Sequence, residues 1–240
     1  MNRQRYKWFP LITGVFVTTL IISNIIAVKV VNIFGLFLPA AVILFPITYI
    51  VGDILTEVYG FGRARQVIWI GFFCNFIAVA AIWVAGLLPA APFWTTALYE
   101  SPGEAGTAYQ AILGFTPRLL AASFIAYLFG EFLNAFVLAK LKLFTRGKFL
   151  WVRTIGSTVI GQGADAAVFI SVAFAGVFPT GAVGLAILSQ WLFKVAYEAL
   201  ATPLTYWVVA RLKQSENIDI YDYDTDFHPF RLRPTRATFE

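Results

Sequence analysis

A chain of 240 residues that is 59% hydrophobic and only 13% charged, with a mean hydropathy of +0.75, is too apolar for a soluble globular domain. Its apolar residues run in long blocks rather than alternating, which favours a helical bundle over a β-barrel and predicts an all-α integral membrane protein in contact with membrane lipid. The net charge of +5 does not indicate nucleic acid, because the basic residues cluster between apolar blocks, and the single cysteine, Cys74, excludes an internal disulfide or a cysteine-based metal cluster.

Arg3, Arg5 and Lys7 precede a first span at about 10–28. The start resembles a signal peptide, but there is no small-residue cleavage site and further spans follow, so this run is read as an uncleaved helix ending near Asn24 and Lys29. The second span, at about 36–58, contains Pro39 and Pro46, which predict a kink or a locally opened helix. In it Tyr49, Asp53 and Glu57 recur every four residues and therefore share one helix face. Gly60, Gly62, Arg63 and Arg65 then form a basic turn.

A third span, at about 67–88, has Trp69 and Trp83 near its ends as interfacial anchors. Residues 89–117 hold no Lys or Arg and are rich in Pro and Gly, as befits a long extracytoplasmic loop. The fourth span, at about 118–139, holds Glu131 and Asn134 one turn apart and leads into a basic loop. The fifth, at about 154–178, places Gln162 and Asp165 on one face, while the spacing of Ser157, Gly161 and Asp165 favours close helix contact. The sixth, at about 182–210, bears a polar stripe of Gln190, Lys194, Tyr197 and Glu198.

These six spans make residues 1–212 a membrane domain and 213–240 a cytoplasmic tail. With both termini inside, 15 of the 18 Lys and Arg lie on the cytoplasmic side, leaving Lys29, Arg118 and Lys194. Asp219, Asp222, Asp224 and Asp226 lack the glycine turn and terminal glutamate of a calcium loop and are read as a solvated stretch. The chain has no phosphate-binding loop and no protease or hydrolase signature, so neither an ATPase nor an enzyme is predicted, and no cofactor or metal is called for.

Carboxylates inside spans are costly and mark function by default. Each has a structural alternative. Asp53 and Glu57 could pair with Arg63 or Arg65, Glu131 and Asn134 could serve an interhelical hydrogen bond, and Lys194 and Glu198, four apart, could neutralise each other.

The segments SNIIAVK at 23–29, FPITYIVGDILTEVYGFGRAR at 45–65, GQGAD at 161–165 and KVAYE at 194–198 together resemble the queuosine-precursor transporter family. The resemblance covers about residues 10–230, and PF at 229–230 fits a family-like ending, although His228 stands where Asn is expected. It implies a six-helix inner-membrane importer of 7-cyano-7-deazaguanine, with 7-aminomethyl-7-deazaguanine as a second substrate, feeding tRNA modification. It also implies a bundle like the substrate-binding subunits of energy-coupling-factor transporters, working without an ATPase partner; a homo-oligomer is left open. The alternative is a binding subunit for a vitamin or purine-like ligand that docks an energising ATPase complex. The candidate substrate-binding set is Asn24, Lys29, Tyr49, Asp53, Glu57, Glu131, Asn134, Gln162, Asp165, Lys194, Tyr197 and Glu198, with Asp165, Glu198 and Asp53 foremost as acceptors for a guanine-like ring's N–H groups.

Overall fold

A computed structural model describes residues 6–33, 36–95, 97–114, 117–176 and 179–230. Arg3, Arg5, Gly35, the end of the fifth predicted span and the basic residues after Phe230 lie outside them. The elements in order are α1 (Phe9–Ile26), β1 (Val30–Ile33), β2 (Leu36–Pro39), a 3-10 turn (Ala40–Ile43), α2 (Phe45–Tyr59), α3 (Phe61–Leu87), α4 (Pro102–Leu113), α5 (Pro117–Phe144), α6 (Leu150–Phe174) and α7 (Thr180–Glu216). Among the described residues five helices are long and apolar enough to cross a membrane: α1, α3, α5, α6 and α7.

The segment expected as one second helix at 36–58 is helical only from Phe45. Residues 36–39 instead pair antiparallel with β1, in the register Val30↔Pro39 and Ile33↔Leu36. Proline explains the late start: Pro46 occupies the first turn of α2, where its missing N–H costs nothing and its fixed φ suits the helix. At 15 residues α2 spans only ~22 Å at 1.5 Å per residue. It is buried on nearly every side and packs against α1, α3, α5 and α7, so it forms the axis of the bundle.

α5 and α6 form the closest helix pair. A Cβ built on Gly161 would lie 2.6 Å from Asn134 Cβ, and one on Gly130 would lie 2.7 Å from Asp165 Cβ. Two glycines thus let the backbones approach, as the small-residue spacing around Gly161 predicts. The 89–117 segment, read as loop, contains α4. Its start carries a capping signal in the sequence: Ser101 Oγ accepts the Glu104 N–H at 3.3 Å, and proline follows the cap directly.

The segment 217–230 is not a solvated tail. Asp222 is 3% exposed, and its carboxylate accepts the Phe61 N–H at 3.0 Å, capping α3 from outside the helix. Gly60, at φ +78°, is held under Ile220, where a Cβ would meet Ile220 Cγ2 at 2.9 Å. The buried Arg65 donates to the Asp226 and His228 carbonyls at 2.7 Å each, and Trp69 Nε1 to the Pro229 carbonyl at 2.9 Å. Phe227 packs against Phe61 and Phe136, with the Lys140 ammonium 4.0 Å from its ring centre. Chain outside the membrane spans is therefore strapped across the basic end of the bundle. Of the four aspartates, Asp219 and Asp224 are exposed as expected of the whole stretch, but Asp219, with its side chain 42% exposed, is ion-paired to Lys142.

Gly161→Ala should lower the unfolding temperature of the purified protein, by roughly 1–3 kcal/mol of overpacking. Gly184→Ala, which meets nothing within 4 Å, should be neutral or slightly stabilising. Equal melting of the two variants would show that α5 and α6 do not touch at Gly161.

Candidate functional site

The face of α2 that carries Tyr49, Asp53 and Glu57 looks into α5, α6 and α7. Each step of four residues advances ~6 Å along the axis, so the three side chains meet three stacked layers of partners.

In the layer nearest the β-hairpin, Lys194 of α7 donates to Asp165 Oδ2 of α6, and its ammonium lies 5.2 Å from the Tyr49 ring centre. Phe45 is nearly parallel to Tyr49, at 5° between ring planes and 6.2 Å between centres. Glu131 of α5 is buried within electrostatic range of both Asp165 and Lys194. The layer combines an aromatic face, a cation and two acids.

In the middle layer Asn134 Nδ2 donates to Asp53 Oδ1 at 2.7 Å. Glu198 of α7 is 2% exposed, Asp53 is 1% exposed, and the two carboxyls lie within electrostatic range of each other. Gln162 is buried on the α6 face between the α5 contact at Gly161 and the α7 contact at Gly163. Asp53 Oδ2, Asn134 Oδ1, Gln162 Oε1 and Glu198 Oε1 are all buried acceptors without a hydrogen-bond donor. Such orphans are uncommon, since an unmet buried polar atom costs ~1–3 kcal/mol.

In the layer at the basic end Glu57 is an ion-pair hub. Arg153 of α6 grips it through both oxygens, Nε to Oε2 at 3.0 Å and Nη2 to Oε1 at 2.8 Å. Lys213 of α7 reaches Oε1 at 2.7 Å, and Lys142 of α5 lies 3.7 Å away. Asp219 from the strap takes both lysines, at 2.6 Å and 2.8 Å. Burial works to raise the Asp219 carboxyl, but the Lys142 and Lys213 ammonium groups outweigh it and hold the group below the usual carboxylate range.

The sequence-predicted residues divide accordingly. Tyr49, Asp53, Glu131, Asn134, Gln162, Asp165, Lys194 and Glu198 converge on the upper two layers. Glu57 lies on the same face, but its partners are Arg153, Lys213 and Lys142 rather than Arg63 or Arg65. Arg63 instead lies over the Tyr6 and Phe9 rings, and Arg65 holds the strap. The expected Lys194–Glu198 pair is not formed, because Asp165 on the neighbouring helix takes the ammonium. Asn24 is used elsewhere, donating to Asn75 Oδ1 of α3 at 3.0 Å, and Lys29 is exposed beside the hairpin. Tyr197 packs against the apolar core, so the ring beside Lys194 is Tyr49. Arg153, Lys142, Lys213 and Asp219 were missed as site residues. The signal was the buried Glu57 itself, which demands a cation from somewhere in the fold.

A cavity of about 10 Å³ lies against Glu131 and Asn134, bounded also by Phe16, Gly52 and Leu55. That is room for one water. Among the described residues no group of three His, Cys, Asp or Glu side chains is placed to hold a metal ion.

The family described as "Putative vitamin uptake transporter" matches residues 39–208. The "Probable queuosine precursor transporter" of Bacillus subtilis (strain 168) is 29% identical over 185 residues, 77% of each chain. The "Queuosine precursor transporter" of Escherichia coli (strain K12) is 24% identical over 174 residues, 71% of each. No solved structure matches the chain.

Two outcomes check this geometry. Lys194→Met strands Asp165 and should cost about 3 kcal/mol in thermal unfolding, at the low end for a buried pair. Adding Asp165→Asn should recover most of that loss, and adding Glu198→Gln should recover none. The strap responds to acid: because the Asp219 carboxyl is lowered in the fold, its ion pairs hold above the ordinary value of ~3.9 and fail as pH falls through the lowered one. Hydrogen exchange over 217–230, corrected for intrinsic rates, should stay slow down to about pH 4 and speed up below it. Asp219→Asn should weaken protection at neutral pH and remove Asp219's share of the acid step.

Proposed function

Because the chain belongs to the putative vitamin uptake transporter family, we propose that it imports queuosine precursors, 7-cyano-7-deazaguanine and its 7-aminomethyl relative, across the inner membrane. The observation that carries this reading is the polar column along α2, in which acids, a lysine and an aromatic face are buried at the centre of an apolar bundle. A deazaguanine ring stacks on Tyr49, presents N1–H and its exocyclic amine to Glu131, and offers its carbonyl or nitrile to Lys194 once that ammonium is shared with Asp165.

The cavity of about 10 Å³ is far below the roughly 300–1,000 Å³ of ligand clefts. Loading therefore requires α5, α6 and α7 to separate from α2 towards the hairpin, and release requires the Glu57 layer to part at the basic end. Alternating access between two halves around a fixed polar site is the ordinary mode of secondary transporters. The basic end faces the cytoplasm by the positive-inside rule, with both termini on that side. The hairpin, 3-10 turn and α2 together make the sixth crossing, a broken segment whose two strands meet each other's backbone groups.

The test is uptake of labelled 7-cyano-7-deazaguanine by proteoliposomes holding the purified chain alone, with no ATPase subunits and no ATP. Saturable uptake is expected, and Glu131→Gln should weaken it by roughly ten- to a hundredfold, the loss of a charge-assisted hydrogen bond worth ~1.5–3 kcal/mol. Absence of uptake by the wild type would sink the substrate, and full uptake by Glu131→Gln would remove that residue from the site. A topology reporter fused after Arg211 should read as cytoplasmic.

A further inference from the structure

We propose that the middle layer, the Asp53–Glu198 carboxyl pair closed by Asn134 and Gln162, is a proton-binding site that couples substrate entry to inward proton flow. The upper two layers hold four acids, Asp53, Glu131 and Glu198 buried and Asp165 half-buried, and the one cation among them, Lys194, is held by Asp165. The next cations along the column, Arg153, Lys142 and Lys213, are engaged by Glu57 and Asp219. Among the described residues no Lys or Arg forms an ion pair with Asp53, Glu131 or Glu198, but Glu131 lies within electrostatic range of Lys194 and can stay charged beside it. A buried carboxylate without a cation takes up a proton rather than stay charged, and two carboxyls in one site share it.

Hydrogen bonding gives a second, independent observation. Asn134 commits its amide N–H to Asp53 Oδ1 and so turns its own carbonyl oxygen away without a donor. Gln162 Oε1, Asp53 Oδ2 and Glu198 Oε1 are likewise buried acceptors without donors. A layer of acceptors is completed by donors, and a proton on one carboxyl turns an acceptor into an O–H that its neighbour can take. The titratable groups around the pair are Tyr49 and Glu57 on the helix of Asp53, Glu131 on α5, Asp165 on α6 and Lys194 on α7. The acids among them disfavour a second negative charge at Asp53, whereas Lys194 is already paired with Asp165.

Coupling follows from position. The pair lies one helical turn from the Tyr49 layer and one from the Glu57 layer, so it faces whichever end is open. One proton binds from outside with the ring and is released inside, and one proton and one substrate cross per cycle.

This rests on the transport reading, and the experiment separates the two. Proteoliposomes with an alkaline interior should accumulate labelled 7-cyano-7-deazaguanine up to about tenfold per pH unit for one proton per substrate, and a protonophore should abolish the accumulation. In Asp53→Asn/Glu198→Gln the ratio of uptake with and without the gradient should fall to one. A wild-type ratio of one, accumulation driven by a sodium gradient, or gradient dependence surviving in the double variant would each overturn the proposal. So would weaker substrate exchange with unchanged gradient dependence, which would make the pair a reader of the ring's N–H groups. If no deazaguanine is transported, the function fails, but the proton site is still tested by infrared spectroscopy of the purified protein. A protonated-carboxyl band at neutral pH that diminishes in the double variant supports the site, and its absence from the wild type overturns it.

Discussion

Burying ionised side chains at the centre of an apolar bundle is the constraint from which most of this architecture follows. α2 is only 15 residues long and sheathed by α1, α3, α5 and α7, so Asp53 and Glu57 have no route to water along it. An uncompensated buried ion costs several kcal/mol even after relaxation. Every helix that touches the polar face of α2 accordingly contributes to the compensation: Asn134 and Lys142 from α5, Arg153 from α6, and Lys213 from α7. The packing is set by electrostatics as much as by apolar contact.

The two ends of the column are compensated differently. Around Glu57 the charges are matched and over-determined, with a two-pronged arginine, two lysines and a second acid from the strap. Such a layer resists opening, because removing any one member leaves another unpaired. The two layers above are under-compensated, with one lysine among four acids and several acceptors lacking donors. A ligand or a proton gains most where the protein has left its own groups unmet, and that region is also where an aromatic face and a small cavity lie.

Irregular backbone is confined to places where its polar groups are met. The β-hairpin pairs its own strands before the 3-10 turn and the proline-led start of α2. At the opposite end the strap uses its carbonyls to receive Arg65, Trp69 and Lys142, and lends the Asp222 carboxylate to the start of α3. With Arg65 buried under the strap and Arg63 laid over the Tyr6 and Phe9 rings, the two cations nearest in sequence to Glu57 are engaged elsewhere, and that acid is served from α5, α6 and α7.

Membrane class, helical architecture, five apolar helices of membrane-crossing length and the shared face of Tyr49, Asp53 and Glu57 were legible from the sequence, because long apolar blocks and a four-residue period are local properties of a chain in lipid. Seven of the eight residues that converge on the upper layers were legible for the same reason, since an acid, amide or lysine inside a span announces itself by its cost, and Tyr49 by sharing the helix face of Asp53. The partners were not. Lys194 has Glu198 one turn away on its own helix, yet Asp165 takes it, because α6 and α7 bring those side chains face to face while a same-helix pair must bend towards each other. Arg153, Lys142 and Asp219 lie 96, 85 and 162 residues from Glu57, distances over which no local pattern carries information. The strap escaped for the opposite reason: its acidic composition is that of a solvated tail, and only the uncapped start of α3 and the buried guanidinium of Arg65, both products of tertiary packing, gave those polar residues something to bind.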